Sequence, residues 1–176
     1  MAVYVALLRG INLGARNRIS MAGLREVFAA LGAQDVKTFL QSGNVVFRSS
    51  KARGALVKAV EGSIARDLGL EITVLLRTPQ ELAKVIADNP FAKRKASALH
   101  VTFLASPPKA ARVRERDPHA FSPDEFRVTR SHVYLHCPNG YGRSKLSNAF
   151  FERRLGVPAT SRNWNTVTKL TELVRG

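Results

Sequence analysis

The sequence predicts an α+β protein made of two successive β-α-β-β-α-β units with an extra helix at the C-terminus. Three observations carry that expectation. Short runs of alternating apolar residues are interleaved with runs of helical period, and a similar order recurs in the second half. Gly32, Gly69 and Gly156 fall where helical patterns end, as helix stops do. At 176 residues the chain is long enough to bury about 70% of its unfolded surface, so its core needs no disulfide or metal.

Val3, Val5 and Leu7 alternate through a first strand that ends near Arg9-Gly10. Leu24, Val27, Phe28 and Leu31 follow at helical spacing, with Ser20 as N-cap and Gly32 as the stop. Residues 36–40 and 45–48 form two strands across Gln41-Ser42-Gly43-Asn44, a hairpin-like turn. Leu56, Val60, Ile64 and Leu68 make a second helical stripe closed by Gly69, and Ile72, Val74 and Leu76 alternate in a further strand. This order is the split βαβ, or ferredoxin-like, unit.

Thr78-Pro79-Gln80-Glu81 is a capping box with proline at the first helical position, and its helix runs through Leu82, Val85 and Ile86 to Asn89-Pro90. Residues 91–97 read as a linker. Leu99, Val101 and Phe103 then alternate in a strand, with a short helix around 109–115 and strands near 126–129 and 133–137. A helix around 146–155 ends at Gly156, and an extended piece covers 158–161. The last helix, N-capped by Asn163, puts Val167, Leu170 and Val174 on one face. The organisation expected is an N-terminal ferredoxin-like unit at 1–78, a connecting helix and linker at 79–97, and a C-terminal ferredoxin-like unit with the terminal helix at 98–176.

Apolar content of 45% and charged content of 23% are those of an ordinary globular protein. The single Cys137 excludes an intrachain disulfide framework and points to a reducing, cytoplasmic setting. Met1 to Arg9 carries no charged leader, and no apolar run reaches the roughly 20 residues of a membrane helix. Neither a signal peptide nor a membrane partner is expected.

With 28 Lys and Arg against 13 Asp and Glu, the net charge is +15. Such a field draws in nucleic acids, nucleotides and anionic surfaces without regard to sequence. The runs Lys93-Arg94-Lys95 and Arg112, Arg114, Arg116 read as solvated surface. More informative are four polar segments, residues 9–18, 41–48, 139–148 and 160–169, which contain none of the 13 carboxylates. They can hold an anion by charge and hydrogen bonds, and lack the Asp and Glu that most hydrolytic or metal chemistry uses.

Arg9-Gly10-Ile11-Asn12-Leu13-Gly14 lies between a strand and a helix, where glycines let backbone approach a ligand, but it matches no P-loop or dinucleotide pattern. Gly140-Tyr141-Gly142-Arg143-Ser144-Lys145 repeats that layout, with Arg143 a planar fork and Lys145 a point charge entering a helix. Trp164 is either a stacking platform or a partly buried anchor. His132 and His136 share a strand face about 13 Å apart, too far to ligate one metal. Cys137, alternating with Val133 and Leu135, packs inward. Ser42 and Ser144 have no base within their own motifs. No metal, cofactor or catalytic triad is visible.

Residues 8–14, 41–47 and 140–146, with Arg162-Asn163-Trp164-Asn165-Thr166-Val167 running on to Lys169-Leu170, together and in order resemble a bacterial family known as domain of unknown function 1697. The resemblance covers nearly the whole chain. It implies two ferredoxin-like units in one compact protein and brings no reaction with it. The same segments supply the expected ligand-binding set: Arg9, Asn12, Ser42, Asn44, Arg143, Ser144, Lys145, Arg162, Asn163 and Asn165. These are expected to converge in a cleft between the units and to bind a phosphate-bearing partner, either nucleic acid or a phosphorylated small molecule. Two alternatives stand beside that expectation. One is an enzyme acting on a phosphorylated or nucleotide substrate with a His or Glu base brought in by folding. The other is a structural protein whose motif residues support the fold and a partner surface.

Overall fold

Valine, leucine, phenylalanine and tyrosine, which suit a pleated surface buried on at least one side, dominate the central strands. The computed structural model describes residues 1–114 and 119–176, and among them the chain is a mixed α+β protein with two four-stranded antiparallel sheets and six α-helices. It divides into two compact units, one comprising Met1–Lys84 with Leu170–Gly176, the other Val85–Lys169.

In the first unit β1 (Ala2–Leu8), α1 (Met21–Ala30), β2 (Gln34–Phe39), β3 (Asn44–Ser49), α2 (Arg53–Leu68) and β4 (Val74–Arg77) form a sheet of order β2-β3-β1-β4. Ser20 caps α1 by accepting from Gly23 N–H, and Gly69 ends α2 in the left-handed region. Leu24, Val27 and Phe28 of α1 and Leu56, Val60 and Ile64 of α2 cover one sheet face through Ala6, Leu8, Val45, Phe47 and Val74.

Tyr4–Leu8 and Val74–Arg77 are buried throughout, on both faces of the sheet. Leu68, read as the end of the α2 stripe, is 38% exposed in the last turn before Gly69, and the buried stripe ends at Ile64. Phe39 is only half-buried at the end of edge strand β2, whereas Phe47 is fully buried against Phe28.

α3 (Pro79–Ala87) starts at the predicted capping box. Thr78 N–H donates to Glu81 Oε2 at 2.8 Å and Glu81 N–H donates to Thr78 Oγ1 at 3.2 Å. Arg53 adds a bidentate pair with Glu81, at 2.9 and 2.7 Å. Asn89 Oδ1 accepts from Phe91 N–H in the turn that follows.

The second unit holds β5 (Leu99–Leu104), α4 (Ala110–Val113), β6 (Glu125–Val128), β7 (His132–His136), α5 (Asn148–Leu155) and β8 (Ala159–Asn163), followed by α6 (Trp164–Leu173). Its sheet order, β6-β7-β5-β8, has the same pattern of first, second, third and fourth strands as the first sheet. The short helix expected around 109–115 is α4. Glu115 and Arg116 lie outside the described residues.

α5 starts at Asn148 instead of near Leu146, because Ser147 accepts from Phe150 N–H as the N-cap. Leu146 and Phe151, flanking that cap, are both buried in the same cluster, as a hydrophobic staple requires. The extended piece expected at 158–161 is a full strand, β8, paired with β5 from His100↔Asn163 to Leu104↔Ala159. Among the described residues no helix is long and apolar enough to cross a membrane.

Candidate functional site

In the first unit the structure brings two of the four carboxylate-free segments together. Asn12 fixes their junction: its Nδ2 donates to Ile19 O at 3.0 Å and Gln41 O at 2.7 Å, while its Oδ1 accepts from Ile19 N–H at 2.9 Å. Gly43, with φ +87°, closes the turn against this loop. A Cβ there would lie 2.7 Å from Ile11 Cδ1 and 2.9 Å from Leu8 Cβ, so close approach and backbone conformation both demand glycine. Asn44 is fully buried, and its Nδ2 donates to Phe39 O at 2.7 Å and Ser42 Oγ at 3.1 Å. Asn12 and Asn44 are therefore committed to holding the loops, while the Ser42 side chain and the tip Leu13–Arg18 face solvent. Arg9 is half-buried at the end of β1.

In the second unit Tyr141–Arg143 form a single 3₁₀ turn. Arg143, Ser144 and Lys145 precede α5, whose N-cap is Ser147, and do not enter it in the way the sequence pattern suggested. Ser144 Oγ donates to Asp124 at 2.7 Å and accepts from Leu146 N–H at 3.1 Å, pinning the loop between Arg143 and Lys145. Both cations are exposed and border one cavity of about 340 Å³, which Asn139, Gly140, Phe121 and Asp124 also line.

Asp124 is the residue that sequence reasoning missed. The carboxylate-free segment acquires a carboxylate from the loop before β6, and only the Ser122-Pro123-Asp124 turn signal marked that loop at all.

The fourth segment is spent differently along its length. Asn163 Oδ1 accepts from Thr166 N–H at 2.8 Å, the predicted cap of α6, while Asn165 is exposed and Trp164 half-buried. Arg162 is 7% exposed. Its Nη1 donates to Thr160 Oγ1 and Ser161 O, both at 2.9 Å, and burial lowers its guanidinium pKa to about 10. Ser161 Oγ joins Thr102 Oγ1 at 2.6 Å, Asn148 Oδ1 at 2.6 Å and Tyr141 OH at 3.1 Å. That network fastens the Gly140–Arg143 turn to the sheet. His100 stacks on Tyr141 at 4.5 Å, and burial holds its imidazole below the ordinary value.

Two further groups matter for chemistry. His136 Nδ1 lies 2.9 Å from Glu125 Oε2, a cross-strand pair of β6 and β7, and Arg94 meets the same carboxylate oxygen at 3.3 Å. Glu125 lines a second cavity of about 390 Å³ with Phe91, His119, Phe126 and Arg127. His132 hydrogen-bonds Ser131 Oγ at 2.9 Å and stands edge-on to Tyr134. Cys137 is buried among Val133, Leu135 and Phe151, as expected, and burial raises its thiol pKa, which makes it a poor nucleophile. Among the described residues no group of three or more His, Cys, Asp or Glu is placed to hold a metal.

The family model described as "Protein of unknown function (DUF1697)" matches residues 1–134. A solved structure, "The structure of conserved bacterial protein SP0830 from Streptococcus pneumoniae", is similar with a TM-score of 0.77, 20% identity and 98% of each chain covered. At that identity the likeness concerns the fold alone. No curated protein matches the chain.

Proposed function

The chain belongs to the DUF1697 family, which carries no assigned activity, and on that premise we propose, from the chain's own geometry, that it binds a phosphate-bearing anionic ligand at the Arg143–Lys145 loop. The observation that carries this reading is the pair of exposed cations bordering one cavity of about 340 Å³. Arg143 supplies a bidentate fork and Lys145 a point charge, while the exposed Asn139 amide offers a hydrogen-bond donor beside them. The Ser144–Asp124 bond presets the loop, so less ordering cost falls on binding. Asp124 borders the same cavity and repels an anion, so the ligand's charge would have to sit on the Arg143–Lys145 side.

An enzyme is the second reading, and the 2.9 Å His136–Glu125 contact supports it. A carboxylate-oriented imidazole is the usual form of a general base, and Glu125 itself borders the second cavity. For Asn12, Asn44, Ser144 and Asn163 the bonds already described support the structural alternative.

The matching strand orders support reading 1–78 and 98–176 as two ferredoxin-like units joined by 79–97. The single buried Cys137 supports a cytoplasmic setting.

The test is binding to single- and double-stranded nucleic acid across a salt series. Arg143→Ala/Lys145→Ala is expected to weaken binding and lower the log–log salt slope by about 2, whereas Lys93→Ala/Lys95→Ala leaves a dedicated site intact. Equal small losses in both variants would mean that the +15 field alone is at work.

A further inference from the structure

Two exposed leucines are used neither by the core nor by the cavity. Leu13 is 68% and Leu40 51% exposed. Their loops are tied at the adjacent residues, where Asn12 Nδ2 donates to Gln41 O at 2.7 Å. Both loops are held in shapes that few side chains adopt. Leu40 has φ 59°, Asn12 53° and Asn17 50°, a left-handed region in which a bulky residue is strained. Asn17 Nδ2 donates to Gly10 O at 3.1 Å and steadies the tip from its other side. Arg16 and Arg18 are exposed on that tip, and no Asp or Glu occurs in 9–18 or 40–48.

We propose that these loops form a docking surface for duplex DNA, with Leu13 and Leu40 entering base steps from the minor groove and Arg16 and Arg18 on flanking phosphates. The proposal shares with the cavity reading only the class of ligand, a phosphate polyanion. Leucine is among the side chains that wedge between base steps in minor-groove proteins, accompanied by Arg and Asn. Proteins that hold single strands stack bases on aromatic rings, and residues 9–18 and 40–44 contain none. A lipid surface fits less well: Gln41 and Ser42, exposed directly after Leu40, would be carried toward hydrocarbon with it. A groove supplies apolar base faces together with acceptors and donors for those same side chains. The carboxylate-free rim complements phosphate in a way that a neutral apolar socket does not.

The experiment uses a mixed-sequence DNA duplex of about 20 base pairs, two helical turns, with donor and acceptor dyes at its ends, and its single strand as comparison. The parent protein is expected to bind the duplex more tightly and to raise energy transfer by bending it. Leu13→Ser/Leu40→Ser is expected to bind about tenfold more weakly, to leave the duplex straight and to keep the salt slope. Arg16→Ser/Arg18→Ser is expected to lower the slope by about 2. Leu13→Ser alone repeats the test should the double variant melt early. A parent complex without bending, a leucine variant that bends like the parent, or equal affinity for the single strand would overturn the proposal. Loss of binding confined to Arg143→Ala/Lys145→Ala would overturn it too, while leaving the cavity reading in place. Loss confined to the loop variants would support it and remove DNA from the cavity.

Discussion

Leu40 separates what a residue does for stability from what it does for recognition. Its φ of 59° costs an L-residue on the order of 1–2 kcal/mol, and a side chain that is 51% exposed recovers only part of that by packing. Leu40→Gly removes the strain but also loses that packing and adds the glycine's unfolded-state entropy, so it is expected to be close to neutral, within about 0.5 kcal/mol. The melting temperature should then stay within about 2 °C of the parent. If it falls instead, the side chain is packed more tightly than its exposure indicates, and a recognition role loses its support. Asn12 is the contrasting residue. As sequence it reads as a ligand group in a glycine loop; in the structure its amide is spent on Ile19 and Gln41. Nothing in the local pattern shows this, because Gln41 lies 29 residues away.

At the scale of elements, what depends on neighbours a few residues apart was legible. The caps at Ser20, Thr78 and Asn163 and the stops at Gly69 and Gly156 are local bonds and backbone shapes, and each is found where the sequence puts it. What depends on partners far along the chain was not. The polar run Thr160–Asn163 becomes strand β8 only because β5, about 60 residues earlier, offers an edge to pair with. Asp124 reaches Ser144 across 20 residues.

The α3 cap carries a test of its own. Burial pushes the Glu81 carboxyl up, but the Arg53 hydrogen bonds, the Thr78 N–H and the charges of Arg53 and Arg77 together hold it below its ordinary value. A depressed carboxyl contributes stability that is whole above its unfolded value and is lost as the pH falls through the folded one. Both partners of the Arg53 pair are about two-fifths exposed (42% and 40%), so solvent screens the pair and the cap bonds carry most of the effect. Thr78→Ala is expected to cost about 1 kcal/mol in urea unfolding near neutral pH. Glu81→Gln can keep the Thr78 capping bonds while removing the charge and one of the two oxygens that accept from Arg53. Its deficit should therefore shrink as the pH is lowered toward about 3 and the parent carboxylate is protonated too. A deficit that stays constant with pH would show that the ionised carboxylate contributes nothing.

At the scale of the whole molecule, the +15 charge acts on stability and on binding at once, and the two must be separated by the kind of anion used. Self-repulsion among 28 cations opposed by 13 anions destabilises the compact state, and salt relieves it by screening. Sodium chloride is therefore expected to raise the melting temperature of the parent and of every surface variant alike. A site adds something that screening cannot supply. A ligand that binds only the folded chain stabilises it by about 2.7 kcal/mol at a hundred times its dissociation constant. For a chain of this length that is a rise of about 5–10 °C. Pyrophosphate, titrated at constant ionic strength, is the probe that offers phosphate oxygens to the Arg143 fork and the Lys145 ammonium together. The parent and Lys93→Ala/Lys95→Ala are expected to show that saturable rise, and Arg143→Ala/Lys145→Ala to keep the chloride response and lose the pyrophosphate one. A rise of the same size in all three proteins would assign the effect to the field of the whole chain, and the cavity beside Asp124 would then be a feature of the fold alone.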